Sequence, residues 1–167
     1  RKAAMLRNQG MEKRYANEYV GLNNRMTDIH AAIGRVQLTK LAGWTKTRQE
    51  NAAFLSANIT EAVTPTVPEG YVHVYHQYTI RLEGVSGEER DRFVAALKDE
   101  HQVGSGVYYP IPNHRLPSLA PYAPGLELPN TEKVAAECVS LPVHPSLSPA
   151  DLERIVAGVN ACAKAGA

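Results

Sequence analysis

Cysteine is nearly absent: Cys138 and Cys162 are the two examples in 167 residues. Two thiols allow at most one bridge, too few for a disulfide framework, so the chain reads as a reduced, cytoplasmic protein. No apolar run comes near the roughly 18 residues of a membrane span, and no signal-peptide pattern opens the chain. Neither sign of charge is in excess, with 18 Lys and Arg against 17 Asp and Glu and a formal net charge of +1. That balance provides no general attraction for nucleic acid or an anionic membrane, and neither is expected as a partner.

The common signatures of chemistry are missing as well. His73 and His76 lie three apart in a strand-like segment, where a period of two sends them to opposite faces. His30, His101, His114 and His144 belong to separate segments, so no metal site is expected. No G-x-S-x-G elbow occurs, and neither cysteine stands beside a histidine. Gly104-Ser105-Gly106 is too short for a phosphate loop and reads as a tight turn into a strand.

What is present is a folded domain, since 44% of the residues are hydrophobic and can build a core. Arg1 to Asn8 reads as a short basic helical end stopped by Gly10, and Met11 to Asn24 as a loop or a partly ordered crossing segment. The first residues already look like mid-helix sequence, so the chain reads as part of something longer. Thr27 and Asp28 start a long helix to about Ile59, with Gly43 as a possible bend. Its apolar residues, from Ile29, Ile33 and Val36 to Trp44, Ala52, Leu55 and Ile59, are expected to be packing surface, any exposed continuation serving as a subunit interface.

Thr64-Pro65-Thr66-Val67-Pro68 marks a domain boundary, dividing the chain into 1–62 and 63–167. From Val72 to Leu82 strict alternation predicts a strand with Val72, Val74, His76, Tyr78, Ile80 and Leu82 on one face. Ser86-Gly87-Glu88-Glu89 has the form of a capping box for a helix burying Phe93, Val94 and Leu97. Val103 to Tyr109 is β-prone, and Arg115 to Pro129 reads as a proline-rich surface loop. Asn130 is expected to cap a helix to about Ser140, with Leu141 to Pro145 extended behind it. Ser148-Pro149 opens the last helix, whose core face is Leu152, Ile155, Val156 and Val159. The sum is a β-α-β-loop-α-β-α unit of α+β class.

Two segments carry more chemistry than packing needs. Gly21-Leu22-Asn23-Asn24-Arg25-Met26 sets an amide and a guanidinium before a helix start, which suits a phosphate or carboxylate. The competing reading is an ordinary cap beside a surface arginine. Tyr108-Tyr109-Pro110-Ile111-Pro112-Asn113-His114-Arg115 sets phenols, an imidazole and a guanidinium on a stiff loop, which suits a polyhydroxylated, phosphorylated ligand. A plain polar loop is its competitor.

These segments resemble the DegT/StrS family of pyridoxal-phosphate-dependent sugar aminotransferases. Leu6-Arg7-Asn8-Gln9-Gly10 resembles the family's L-R-N-H-G stretch, and Gly21 to Gly34 with Gln37-Leu38 resembles its G-x-N-x-R-M-x-(E/D)-(I/L)-x-A-A-(I/L)-G-x-x-Q-L. Val74-Tyr75-His76-Gln77-Tyr78 and Tyr109-Pro110-Ile111-Pro112-Asn113-His114 resemble v-y-H-x-Y and Y-P-x-P-x-H, and Glu132 to Pro145 resembles its late a-E-x-x-a…s-L-P-(L/M)-x-P signature. The resemblance runs over essentially the whole chain, in order.

It implies an α/β fold-type-I aminotransferase, residues 1–62 ending the large cofactor domain and 63–167 forming the C-terminal small domain. It implies pyridoxal 5'-phosphate as cofactor and a homodimer with shared sites. The position of Asn23 reaches the cofactor phosphate of the neighbouring subunit, and that of Arg25 enters the same site toward an acidic or phosphorylated substrate. Tyr108, Tyr109 and the weaker candidate His114 are similar to positions that hold the nucleotide-sugar. Tyr108 departs from a common histidine, and Asn24 from a common aromatic. The family's cofactor lysine lies upstream of Arg1; neither Lys2 nor Lys13 matches it, so this chain alone is expected to be inactive. The implied reaction transfers an amino group from glutamate to a keto group of a nucleotide-linked sugar. A keto-inositol acceptor, or a catalytically silent relative acting as a binding or regulatory protein, are the alternatives. A free-standing small domain is disfavoured by the apolar helix face it would expose.

Overall fold

The computed structural model describes residues 1–165 and divides into two compact units, Arg1–Ala42 and everything from Gly43 onward. In the first, α1 (Lys2–Leu6) is followed by a small antiparallel pair, β1 (Met11–Lys13) and β2 (Ala16–Asn17), inside the segment expected to be loop. The chain then returns along α1. Leu22 N–H donates to Leu6 O at 2.7 Å, Gln9 N–H to Leu22 O at 2.9 Å and Asn24 N–H to Arg7 O at 2.9 Å. That approach needs glycine at position 21, because a Cβ there would collide with the Gly10 nitrogen and lie 2.7 Å from Leu6 O.

Helix α2 (Asp28–Asn58) is continuous through Gly43. Thr27 caps it, its hydroxyl accepting from His30 N–H at 3.3 Å. The two ends of the helix differ in burial. Ala52, Leu55 and Ile59 just beyond its end lie in the core of the second unit, whereas Ile29, Ile33, Val36, Leu38 and Leu41 are all more than half exposed. The packing expected of the whole stripe is met only in its C-terminal part.

The second unit is built on β3 (Tyr78–Arg81) and β4 (Cys138–Leu141), paired antiparallel with Tyr78 opposite Leu141 and Ile80 opposite Val139. Those four side chains are buried, and Thr79 and Ser140 on the other face join hydroxyls at 2.8 Å. Val63 bridges to Arg81 on one edge and Gly106 to Ser140 on the other. Helix α3 (Gly87–His101) packs against α5 (Pro149–Ala165), α4 (Pro129–Glu137) and β4. The α+β class is as expected.

The local signals for α3 and α5 are met. Ser86 accepts from Glu89 N–H while Glu89 accepts from Ser86 N–H at 2.7 Å, a complete capping box. Ser148 does the same with Asp151, whose carboxylate accepts the Ser148 N–H at 3.0 Å. Phe93, Leu97, Leu152, Ile155 and Val159 are core residues, with Val94 and Val156 packed against them.

Four expectations need correction. The strand predicted over Val72 to Leu82 is only Tyr78–Arg81. Tyr75 sits at φ 46°, which no strand accommodates, and His73 Nδ1 accepts the Tyr75 N–H at 2.8 Å. The freed carbonyls of His73 and Tyr75 accept from Gln49 and Arg48 of α2, so Val72, Val74 and His76 stay exposed. Val103 to Tyr109 makes one bridge and no strand. Asn130 lies inside α4, with Pro129 at its start and Leu128 at the cap position without a side-chain bond. Finally α4 ends at Glu137, and Cys138 to Ser140 turn extended to form β4. Arg115 to Pro129 is irregular apart from short 3-10 turns at Asn113–Arg115 and Ala120–Tyr122.

Candidate functional site

Tyr108, Tyr109 and His114 line one cavity of about 630 Å³ in the second unit. Its wall is the Tyr108 to His114 loop and its floor is Thr131, Val134 and Ala135 of α4 with Cys138 at the start of β4. Tyr108 and Tyr109 are 53% and 74% exposed, so both residues are open to solvent where they line the cavity. Their rings meet edge to face at 5.9 Å. An apolar floor beneath a rim of hydroxyls, amides and an imidazole is the composition of a small-molecule pocket.

Glu132, to which residue-type reasoning assigned no role, holds this loop. His114 is almost buried, and its Nε2 lies 2.8 Å from Glu132 Oε1. Arg115 donates to the same oxygen from Nε at 3.1 Å and Nη2 at 2.7 Å, and Leu128 N–H does so at 3.4 Å. The hydrogen bond from His114, then those from Arg115, hold the Glu132 carboxyl down at about 2. An ionised carboxylate only accepts, so His114 Nε2 carries the proton and donates. The sequence signal for Glu132 was its place in the first turn of a helix that starts on a proline.

Asn23 and Arg25 belong to the first unit. Arg25 Nε donates to Asn23 Oδ1 at 2.8 Å, and Asn23 bridges to Asn8, so the amide aims the guanidinium. Arg25 borders a cavity of about 380 Å³ with Arg1, Arg7, Asn8 and Glu12. Glu12 bonds to Arg1. Guanidinium groups with amides nearby fit a phosphate group. The structure therefore brings together Asn23 with Arg25, and Tyr108 with Tyr109 and His114.

Among the described residues no three His, Cys, Asp or Glu side chains gather to hold a metal ion, and no helix is long and apolar enough to cross a membrane. Cys138 and Cys162 are buried and unbridged.

Solved structures that superpose on this chain include a DegT DnrJ EryC1 StrS aminotransferase from Brucella abortus, with a TM-score of 0.81 at 30% identity over 95% of this chain and 42% of its own. DesV of S. venezuelae superposes with a TM-score of 0.84 at 30% identity, over 96% of this chain and 43% of its own. NtdA of Bacillus subtilis, solved with bound cofactor PMP, superposes at 0.82 with 26% identity, over 96% of this chain and 38% of its own. The chain belongs to the DegT/DnrJ/EryC1/StrS aminotransferase family, whose model matches residues 1–160.

Among curated relatives, a pleiotropic regulatory protein of Geobacillus stearothermophilus is 36% identical over 93% of this chain and 42% of its own length. The dTDP-3-amino-3,6-dideoxy-alpha-D-galactopyranose transaminase of Aneurinibacillus thermoaerophilus is 32% identical over the same shares. The chain thus spans about two-fifths of the length of these relatives.

Proposed function

We propose that the protein carrying this chain is a pyridoxal-phosphate-dependent aminotransferase that moves an amino group from glutamate to a keto group of a nucleotide-linked sugar. The observation that carries this reading is the pocket under Tyr108, Tyr109 and His114 in a chain related along its length to a transaminase of a dTDP-linked sugar. Residues 1–62 close the large domain and supply the connecting helix, and residues 63–167 form the small domain. The protein works as a cytoplasmic homodimer, and the exposed Ile29, Ile33, Val36, Leu38 and Leu41 are the surface it covers.

The bound cofactor supplies an electron sink for the bonds at the amino-bearing carbon. Asn23, with Arg25 beside it, would hold the cofactor phosphate in the neighbouring subunit, Arg25 also facing an acidic or phosphorylated substrate while Asn23 orients its guanidinium through the bond at 2.8 Å. Tyr108 and Tyr109 hydrogen-bond the sugar nucleotide at the pocket mouth, and the prolines around Ile111 keep them there with little entropy left to lose. Glu132 fixes His114 and Arg115, keeping the loop in its binding shape. The covalent work falls to a lysine that precedes Arg1 in the sequence.

Steady-state assays of the intact protein with glutamate and UDP- or dTDP-linked keto-sugars, following 2-oxoglutarate release, test the reading. Release that depends on the sugar supports it. Release with a keto-inositol instead moves the substrate to a cyclitol. No release with either class favours a silent regulatory member, the reading that the name of the Geobacillus relative supports.

A further inference from the structure

Gly106 sits two residues before Tyr108, at the point where the Tyr108 loop is tied to the sheet. Its N–H donates to Ser140 O at 3.0 Å and its carbonyl accepts from Ser140 N–H at 2.7 Å, a reciprocal pair that fixes it to β4. The Tyr108 side chain folds back over this anchored peptide. A Cβ at position 106 would lie 2.8 Å from Tyr108 Oη, 2.9 Å from Cζ and 3.0 Å from Cε2. All three nearest atoms belong to that phenol, so the space a side chain would fill is the space the ring occupies. Glycine is not required here for backbone freedom, because Gly106 does not have a positive φ.

We infer that Gly106 is a positioning residue for the nucleotide-linked substrate: its missing side chain seats the Tyr108 phenol on β4 and so sets the pocket mouth. The inference rests on the proposed role of Tyr108 in nucleotide-sugar binding. It also gives a half-exposed tyrosine a seat, since its ring lies against a hydrogen-bonded peptide and meets the Tyr109 ring edge to face at 5.9 Å.

Gly106→Ala is a selective probe, since the three atoms nearest a methyl group there all belong to the far end of the Tyr108 side chain. The test is a double-mutant cycle of Gly106→Ala and Tyr108→Ala in the intact protein, reading the Kd of UDP and dTDP by calorimetry and the KM values of both substrates. The expected result is a Kd raised about tenfold by either single change, and a double variant no weaker than Tyr108→Ala alone. KM for the sugar nucleotide rises, KM for glutamate stays, and the thermal midpoint moves by less than about 2 °C.

If Tyr108→Ala weakens binding while Gly106→Ala does not, or if the two effects add, the positioning role of Gly106 is overturned and the site stands. Unaltered binding in Tyr108→Ala, or no binding of either nucleotide by the unsubstituted protein, overturns the site reading and this inference with it.

Discussion

Glu132 Oε1 accepts from His114 Nε2 at 2.8 Å, joining the first turn of α4 to the loop that walls the pocket. Arg115 shares the same oxygen. The hydrogen bond from His114, then that from Arg115, lowers this carboxyl from 4.5 to about 2. A carboxyl depressed in the folded state adds stability that is fully present above its unfolded value and is lost as pH falls toward the folded one. Unfolding midpoints should therefore drop as pH falls from 4.5 toward 2, and Glu132→Gln should flatten part of that drop. Denaturant titrations at several pH values check this; an unchanged pH slope in Glu132→Gln contradicts it.

Arg90 is buried on α3 and donates from Nη1 to the Ala135 carbonyl at 2.5 Å and to Ala136 at 3.3 Å. These are among the last carbonyls of α4, which have no helical partner. Arg90→Met keeps the packing and removes the donor, leaving buried acceptors unpaired. A loss of about 2 kcal/mol is expected in urea unfolding.

Ser86→Ala removes one half of the capping box of α3 while its Glu89 partner remains. The expected cost is about 1 kcal/mol, read as a lower unfolding midpoint with unchanged slope. Ser148→Ala at the start of α5 should cost a similar amount, because the Ser148 hydroxyl both donates to Asp151 and accepts from its N–H.

What the sequence made legible was what short-range chemistry decides. The caps at Thr27, Ser86 and Ser148, the length of α2 and the inward phase of Tyr78 and Ile80 all follow from residue type and period. What it hid depends on partners distant in sequence. Alternation over Val72 to Gln77 promised a strand, but those carbonyls go to Arg48 and Gln49, which come from a helix more than 20 residues earlier. The stop of α4 at Glu137 was hidden for the same reason. Glu137 is buried and accepts from Arg81 at 2.7 Å and Gly84 N–H at 3.0 Å, and the next residues are drawn into pairing with β3. In the site, the tyrosines and the Asn23–Arg25 pair stood out by chemistry, whereas Glu132 and Gly106 matter only through what they touch.

Arg25→Ala and Asn23→Ala should weaken cofactor retention. On the proposed role of this pair at the cofactor phosphate, losing the guanidinium would remove a charged contact, and losing the amide would remove the group that bonds it at 2.8 Å. Titration of apo protein with pyridoxal phosphate should show affinity lower by about tenfold or more for Arg25→Ala and by less for Asn23→Ala. Equal affinity in both variants would remove this pair from the cofactor site.

We propose that this chain is the sugar-binding part of an aminotransferase whose cofactor lysine precedes Arg1. The most direct measurement is the intact mass of the complete protein, loaded with pyridoxal phosphate, before and after borohydride reduction, followed by peptide mapping. One reduced cofactor adduct per subunit is expected, on a lysine upstream of Arg1, and it should be lost when glutamate is added before reduction. No adduct, or an adduct on Lys2 or Lys13, would contradict it.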